Sequence, residues 1–187
     1  NLKKVVEDLL NTFLEAGKIS LDLREEGLIE KIKSDNTPVS NGDLEVNEII
    51  SKKISNLTPD IPIISEEVSD NKNITNLKDF WLIDPIDGTY DYINGLEEFT
   101  INAGLIINKK PIAGLIYAPA KKRMFFSYER NSSFELINGQ KIKLDSSKNF
   151  DKENIRFVSY SNRIKPDIEK IHKDLNVKSF VRMKSSL

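Results

Sequence analysis

Apolar residues at Leu2, Val5, Val6, Leu9, Leu10, Phe13, Leu14 and Gly17 recur every three or four positions with Lys and Glu between them. That spacing predicts an amphipathic helix forming one wall of a core. Polar Ser34, Asp35, Asn36 and Thr37 interrupt the pattern before Pro38, and residues 39–43 lead into a second helix that carries Leu44, Ile49, Ile50 and Ile54 inward. Residues 61–65 predict a short strand running into Glu66 and Glu67. Residues 71–79 are polar and read as a loop. The apolar run Phe80, Trp81, Leu82, Ile83 predicts a buried strand that ends at Asp84-Pro85, with Gly88-Thr89 opening a new element. Pro85 has no N–H and biases Asp84 away from helical geometry, so the turn is expected to start at once.

Downstream, residues 90–93 form a short helix closed by Asn94-Gly95. Strongly β segments follow at 99–107, 111–117, 124–128, 134–137 and 141–144, separated by Asn108-Lys109-Lys110, by Ala118 to Arg123 and by Asn138-Gly139. Asn-Gly is a strong two-residue hairpin signal, and the whole predicts a meandering antiparallel sheet. The basic tip Lys121-Lys122-Arg123 fits a solvated hairpin that blocks edge pairing. Polar residues 145–153 mark a boundary. Beyond it a strand (155–159), a helix (166–175) and a strand (177–183) begin a β-α-β unit. The expected organisation is an N-terminal α+β domain over 1–150 and the start of a C-terminal α/β domain over 151–187.

Composition narrows the chemistry. The 187 residues carry 28 basic and 29 acidic side chains for a net charge of −1, with no basic excess to suggest a nucleic-acid polymer as partner. Cysteine is absent, which excludes disulfides, thiol catalysis and cysteine-held metal clusters. No apolar run approaches the roughly 20 residues that span a bilayer, and the acid-containing start lacks a signal peptide's features. A cytoplasmic location is therefore expected, and the sequons at Asn73 and Asn131 are read as chance matches. The chain starts with Asn1, so part of a longer translated product is an open reading. The single histidine, His172, lies among charged neighbours and is expected at the surface.

Metal chemistry must then rest on carboxylates. Glu66, Asp84 and Asp87 all follow short strands or lie in the turn between elements, and they converge if those strands are neighbours. All-oxygen coordination selects hard Mg²⁺ or Mn²⁺, and the Ile86 carbonyl can join the shell. A phosphate monoester there would meet the Gly88 and Thr89 amides, and the Thr89 hydroxyl, backed by an acid, could orient an attacking water. Asp43 is the available acid, although its position also suits a helix N-terminal carboxylate and nothing more. Glu66 and Glu67, taken alone, suit a solvated loop equally well.

The run Asp84-Pro85-Ile86-Asp87-Gly88-Thr89, with Glu66-Glu67 upstream and Asp43 in a Thr-Pro-Val-Ser-x-x-Asp context, resembles the lithium-sensitive, magnesium-dependent phosphatases that include inositol monophosphatase. The resemblance extends over nearly the whole chain. Within that family Glu98 to Asn102, Tyr117-Ala118-Pro119 and Ser185-Ser186-Leu187 are more similar to the 3′(2′),5′-bisphosphate nucleotidase branch.

The resemblance implies a layered α/β (α+β) architecture of the sugar-phosphatase type, α/β/α/β/α, with its second half incomplete here. It implies two or more Mg²⁺ ions held by Glu66, Asp84, Ile86 and Asp87, with Mn²⁺ as a substitute. It further implies water activation by Thr89 with Asp43, a catalytic contribution from Glu66, and substrate contacts from Glu66, Ile86, Asp87, Gly88 and Thr89. The implied reaction is hydrolysis of adenosine 3′,5′-bisphosphate to AMP and phosphate, so the partner is a small phosphorylated substrate; a homodimer stays open. Inositol-phosphate hydrolysis and a truncated, non-catalytic homologue are the alternatives. Three departures stand out: no Trp-Asp follows Ser-Ser-Leu, Lys184 replaces a usual glycine, and Ser159 to Asn162 lacks basic residues.

Overall fold

A computed structural model of the chain describes residues 1–67, 76–145, 154–159 and 164–182. The expectations placed on Asn73, on 146–153, on 160–162 and on 183–187 lie outside them. The chain divides into two compact units, 1–144 and 145–186.

In the first unit, helices α1 (Leu2–Glu26) and α2 (Asn41–Leu57) pack together and against one face of a seven-stranded sheet. Its strands are β3 (Ile63–Ser65), β4 (Phe80–Asp87), β5 (Thr100–Ile107), β6 (Lys110–Ala118), β7 (Arg123–Ser127), β8 (Ser133–Ile137) and β9 (Gln140–Lys143), in that spatial order. β3 runs parallel to β4 and every later neighbour is antiparallel, as the meander predicted. Both tight turns need positive φ, at Asn108 and Lys109 and at Asn138 and Gly139, which suits the primed turns that match strand twist.

The core is built from Val6, Leu9, Phe13, Ile50, Ile54, Trp81, Ile83, Phe99 and Leu115 among others, all essentially inaccessible. Two assignments to it need correction. Leu14 and Leu44 are 39% and 47% exposed. On α2 the buried positions are Gly42, Asp43, Val46, Asn47, Ile50 and Ile54, one helical face on which the second place is filled by an acid. Ile50 and Ile54 face the core as expected and Ile49 packs partly against it, so of the four apolar residues assigned inward only Leu44 is misplaced.

A short antiparallel pair not expected from the sequence pattern joins β1 (Glu30–Ile32) to β2 (Pro38–Ser40). Asp35 accepts from the Thr37 amide and hydroxyl and so closes its polar turn.

The second unit contains β10 (Arg156–Ser159), α4 (Pro166–Asp174) and β11 (Ser179–Arg182), with the two strands parallel. His172 is not the free surface residue expected. Its ring lies 4.1 Å from that of Phe157 and 6.4 Å from that of Phe180, and Nε2 is buried. The helix's apolar side is so short that the imidazole serves as one of its packing groups.

Candidate active site

The acid-rich strand does not stop where Asp84-Pro85 suggested. β4 continues to Asp87, and a bulge absorbs the proline: Asp84 pairs with Asn102, whereas Asp87 pairs with Thr100. Three steps along β4 thus match two along β5. A regular antiparallel strand would set Ile86 opposite Thr100; the extra residue sends Ile86 into the core, 1% exposed, and brings Asp87 to the face that Asp84 occupies. Pro85 fits a bulge because its missing N–H is not needed by the ladder there.

Two aromatic anchors fix this segment. Trp81 is fully buried and donates from Nε1 to the Thr58 hydroxyl at the end of α2, 3.0 Å away. After the bulge Gly88 adopts φ 90°, a left-handed conformation that favours glycine, and the helix α3 (Thr89–Ile93) begins. Tyr92 on α3 donates to the Ser20 carbonyl of α1 at 2.6 Å and packs on Phe99.

Asp43 approaches Thr89 from the other side, across 46 residues. Ser40 caps α2: its hydroxyl accepts from the Gly42 amide and donates to Asp43 Oδ2 at 2.6 Å, and the Ser40 amide donates to the same oxygen at 2.8 Å. Asp43 Oδ1 is left to accept from Thr89 Oγ1 at 3.1 Å. The two oxygens therefore divide the labour, one closing a capping box and the other facing the site. Thr89 Oγ1 also lies 3.0 Å from the Ile86 carbonyl. One proton cannot serve both acceptors, and the carboxylate is the stronger. Asp43 is fully buried, and burial raises its pKa against the lowering pull of the Ser40 and Thr89 hydrogen bonds.

Asp84 is the most perturbed acid. Burial, then the charges of Glu66 and Asp87, then a hydrogen bond shared with Glu66, and finally the charge of Asp43 push its pKa up to about 7. The four acids thus act on one small volume. Lys33, supplied by the unforeseen hairpin, bonds Glu67 at 2.8 Å and Glu66 at 3.4 Å. Glu67 has 4% of its side chain exposed, and Glu66 half. Burial alone would lower Lys33's pKa, but its bonds and charge contacts with both glutamates raise it. Nothing in the sequence singles out Lys33, which stands two residues from Lys31.

Among the described residues, no three acidic or histidine side chains are drawn together tightly enough to grip an ion as they stand. The donor chemistry nevertheless fits a hard divalent cation. Asp84 Oδ1 is buried without a hydrogen-bond partner among the described residues, and like-charged oxygens crowd beside it. Glu66, Asp84, Asp87 and the Ile86 carbonyl are the groups that could hold it.

This sheet with paired helices on one face and an acid-bearing bulge is the inositol monophosphatase fold. The chain superposes on an IMPase/NADP phosphatase complexed with Mg²⁺ and phosphate (TM-score 0.78, 19% identity, 98% of this chain and 68% of that one). It also superposes on CysQ from Bacteroides thetaiotaomicron (TM-score 0.65, 22% identity, 98% and 73%). At these identities the likeness is one of fold.

The chain belongs to the Inositol monophosphatase family, whose model matches residues 2–187. It is similar to the 3′(2′),5′-bisphosphate nucleotidase CysQ of Buchnera aphidicola, 42% identical over 114 residues (60% of this chain and 43% of that protein). The CysQ of Aggregatibacter actinomycetemcomitans is 31% identical over 145 residues (75% and 53%). The chain spans about half the length of the curated relatives it matches. No described helix is long and apolar enough to cross a membrane.

Proposed function

We propose that the chain carries the water-activating half of a Mg²⁺-dependent phosphomonoesterase that converts adenosine 3′,5′-bisphosphate to AMP and phosphate. The observation that carries this reading is the Thr89–Asp43 hydrogen bond beside the crowded acids of the β4 bulge. Mg²⁺ or Mn²⁺, held by Glu66, Asp84, the Ile86 carbonyl and Asp87, would supply Lewis-acid polarisation of the phosphoryl oxygens and neutralise the carboxylates. The chain's own groups do the rest. Thr89 Oγ1 accepts a proton from the attacking water while its own proton passes to Asp43 Oδ1; the water oxygen bonds to phosphorus, the bond to the 3′-oxygen breaks, and solvent protonates that oxygen. The Gly88 and Thr89 amides hold the phosphate.

Similarity to proteins named 3′(2′),5′-bisphosphate nucleotidase supports the choice of substrate. A second reading, inositol-phosphate hydrolysis, draws on a superposing dual specific IMPase/NADP phosphatase bound with D-inositol-1-phosphate. Phosphate release by the full gene product from the two substrates, at equal concentration with Mg²⁺, decides between them. Preference for adenosine bisphosphate is expected; preference for inositol phosphate transfers the assignment to the second reading, and no release from either removes both.

A further inference from the structure

Four buried side-chain atoms lack a hydrogen-bond partner among the described residues, and three of them lie on one short stretch: Asp84 Oδ1, Thr100 Oγ1 and Asn102 Oδ1. Asn102 is the direct cross-strand partner of Asp84, and Thr100 that of Asp87. Residues paired in this way share a face, with Cβ atoms about 5 Å apart. Asp84 and Asn102 accordingly line one cavity of about 930 Å³ on the sheet face away from α1 and α2. Both oxygens are buried acceptors without a hydrogen-bond partner among the described residues, a costly condition that a cation bound beside them would relieve. A neutral carboxamide oxygen adds hard-donor character without adding to the repulsion among Glu66, Asp84 and Asp87.

We propose that Asn102 is a further oxygen donor of the cation site, turned toward the divalent ion at Asp84. The assignment rests on Asp84 being a cation ligand, as in the proposed function. Mn²⁺ binding to the full gene product, followed by electron paramagnetic resonance, tests it beside thermal melts in EDTA and in saturating Mg²⁺. Asn102→Ala is expected to weaken Mn²⁺ about tenfold while the melting temperature in EDTA holds or rises, because an unsatisfied buried acceptor has gone. Asn102→Asp, which keeps an acceptor, should bind Mn²⁺ at least as well as the parent.

Unchanged Mn²⁺ affinity in Asn102→Ala overturns the inference. So does an equal fall in both melting temperatures, which is the mark of a purely structural residue. Asp84→Asn separates the two levels. If it loses Mn²⁺ while Asn102→Ala does not, only this inference fails. If it keeps Mn²⁺, the reading of the site fails with it.

Discussion

Asp43→Asn separates the two roles that Asp43 fills. The amide can lie in two ways. With its oxygen toward Ser40 it still accepts the 2.6 and 2.8 Å bonds of the capping box, and its NH₂ donates to Thr89, whose proton turns to the Ile86 carbonyl 3.0 Å away. Flipped, the NH₂ would face the Ser40 amide and orphan a buried donor at a cost of about 1–3 kcal/mol. The first orientation therefore wins. Its net effect on stability is about 1 kcal/mol or less, since the weakened bonds are offset by no longer burying a charge.

Catalysis fares differently, because no group remains to take the Thr89 proton. Loss of a positioned general base costs about 10²–10⁴-fold, or roughly 3–5 kcal/mol of barrier. Turnover of adenosine bisphosphate by the full gene product should fall by that factor with KM little changed, and the melting temperature should stay within about 3 °C. A variant with kcat within fivefold of the parent would refute the proton route and return Asp43 to a helix-capping role. Asp43→Ala, by contrast, loses the cap as well and should melt lower by about 1–2 kcal/mol of stability.

Three other perturbations test the surrounding structure. In EDTA the folded protein holds Asp84's proton up to about pH 7, far above the ordinary carboxylate range; the stability this contributes is present below about pH 4 and is lost as pH rises toward 7. After discount for solvent screening the loss is about 1–2 kcal/mol. Melts at pH 5 and pH 8 should show it in the parent and not in Asp84→Asn, and an unchanged slope in the variant would locate the titration elsewhere. Lys33→Met leaves the Glu67 carboxylate buried without its cation and should cost about 2–3 kcal/mol in chemical denaturation; a neutral result would mean that Glu67 takes up a proton instead. Gly42→Ala puts a Cβ 2.3 Å from the Tyr92 hydroxyl, so Tyr92 must leave the Ser20 carbonyl or α2 must move; a loss of about 1–3 kcal/mol is expected, and full stability would show that α3 slides freely.

How far such a site shows in a sequence depends on which force writes it. The meander was legible because positive-φ turns demand Asn and Gly, and because alternation of buried and exposed side chains leaves a period of two along β5 to β7. Asp43, Glu66, Asp84, Asp87 and Thr89 were legible as a motif, that is, as residue types at a spacing. Three structural features were not. Leu44 was placed inward on α2 because its neighbour Asp43 occupies a core-facing place that hydrophobicity cannot mark. The β1–β2 hairpin has only three residues on each strand and no clear alternation, and it is tied to the head of α2 by the bonds between Ile29 and Asn41, which no local pattern announces. Lys33 followed from neither periodicity nor motif, since its role depends on where that hairpin places it.

The bulge in β4 shows how a local rule can mislead about where a strand ends and yet be right that the acids gather. Pro85 was expected to end the strand, since proline cannot donate to a ladder. A strand end would indeed gather the acids, yet would leave them on a loop free to move apart under their mutual repulsion. A bulge gathers them while both flanks stay paired: Trp81, Leu82 and Ile83 face Leu105, Gly104 and Ala103 on one side, and Asp87 faces Thr100 on the other. The carboxylates therefore cannot relax their repulsion by unwinding the chain, and burial first, then the charges of Glu66 and Asp87, raise the pKa of Asp84. Proline at this point removes a donor where the ladder skips a bond and stiffens the one residue step that the register gains. The same residue that reads as a stop in the sequence thus serves, in the sheet, to hold two acids on one face.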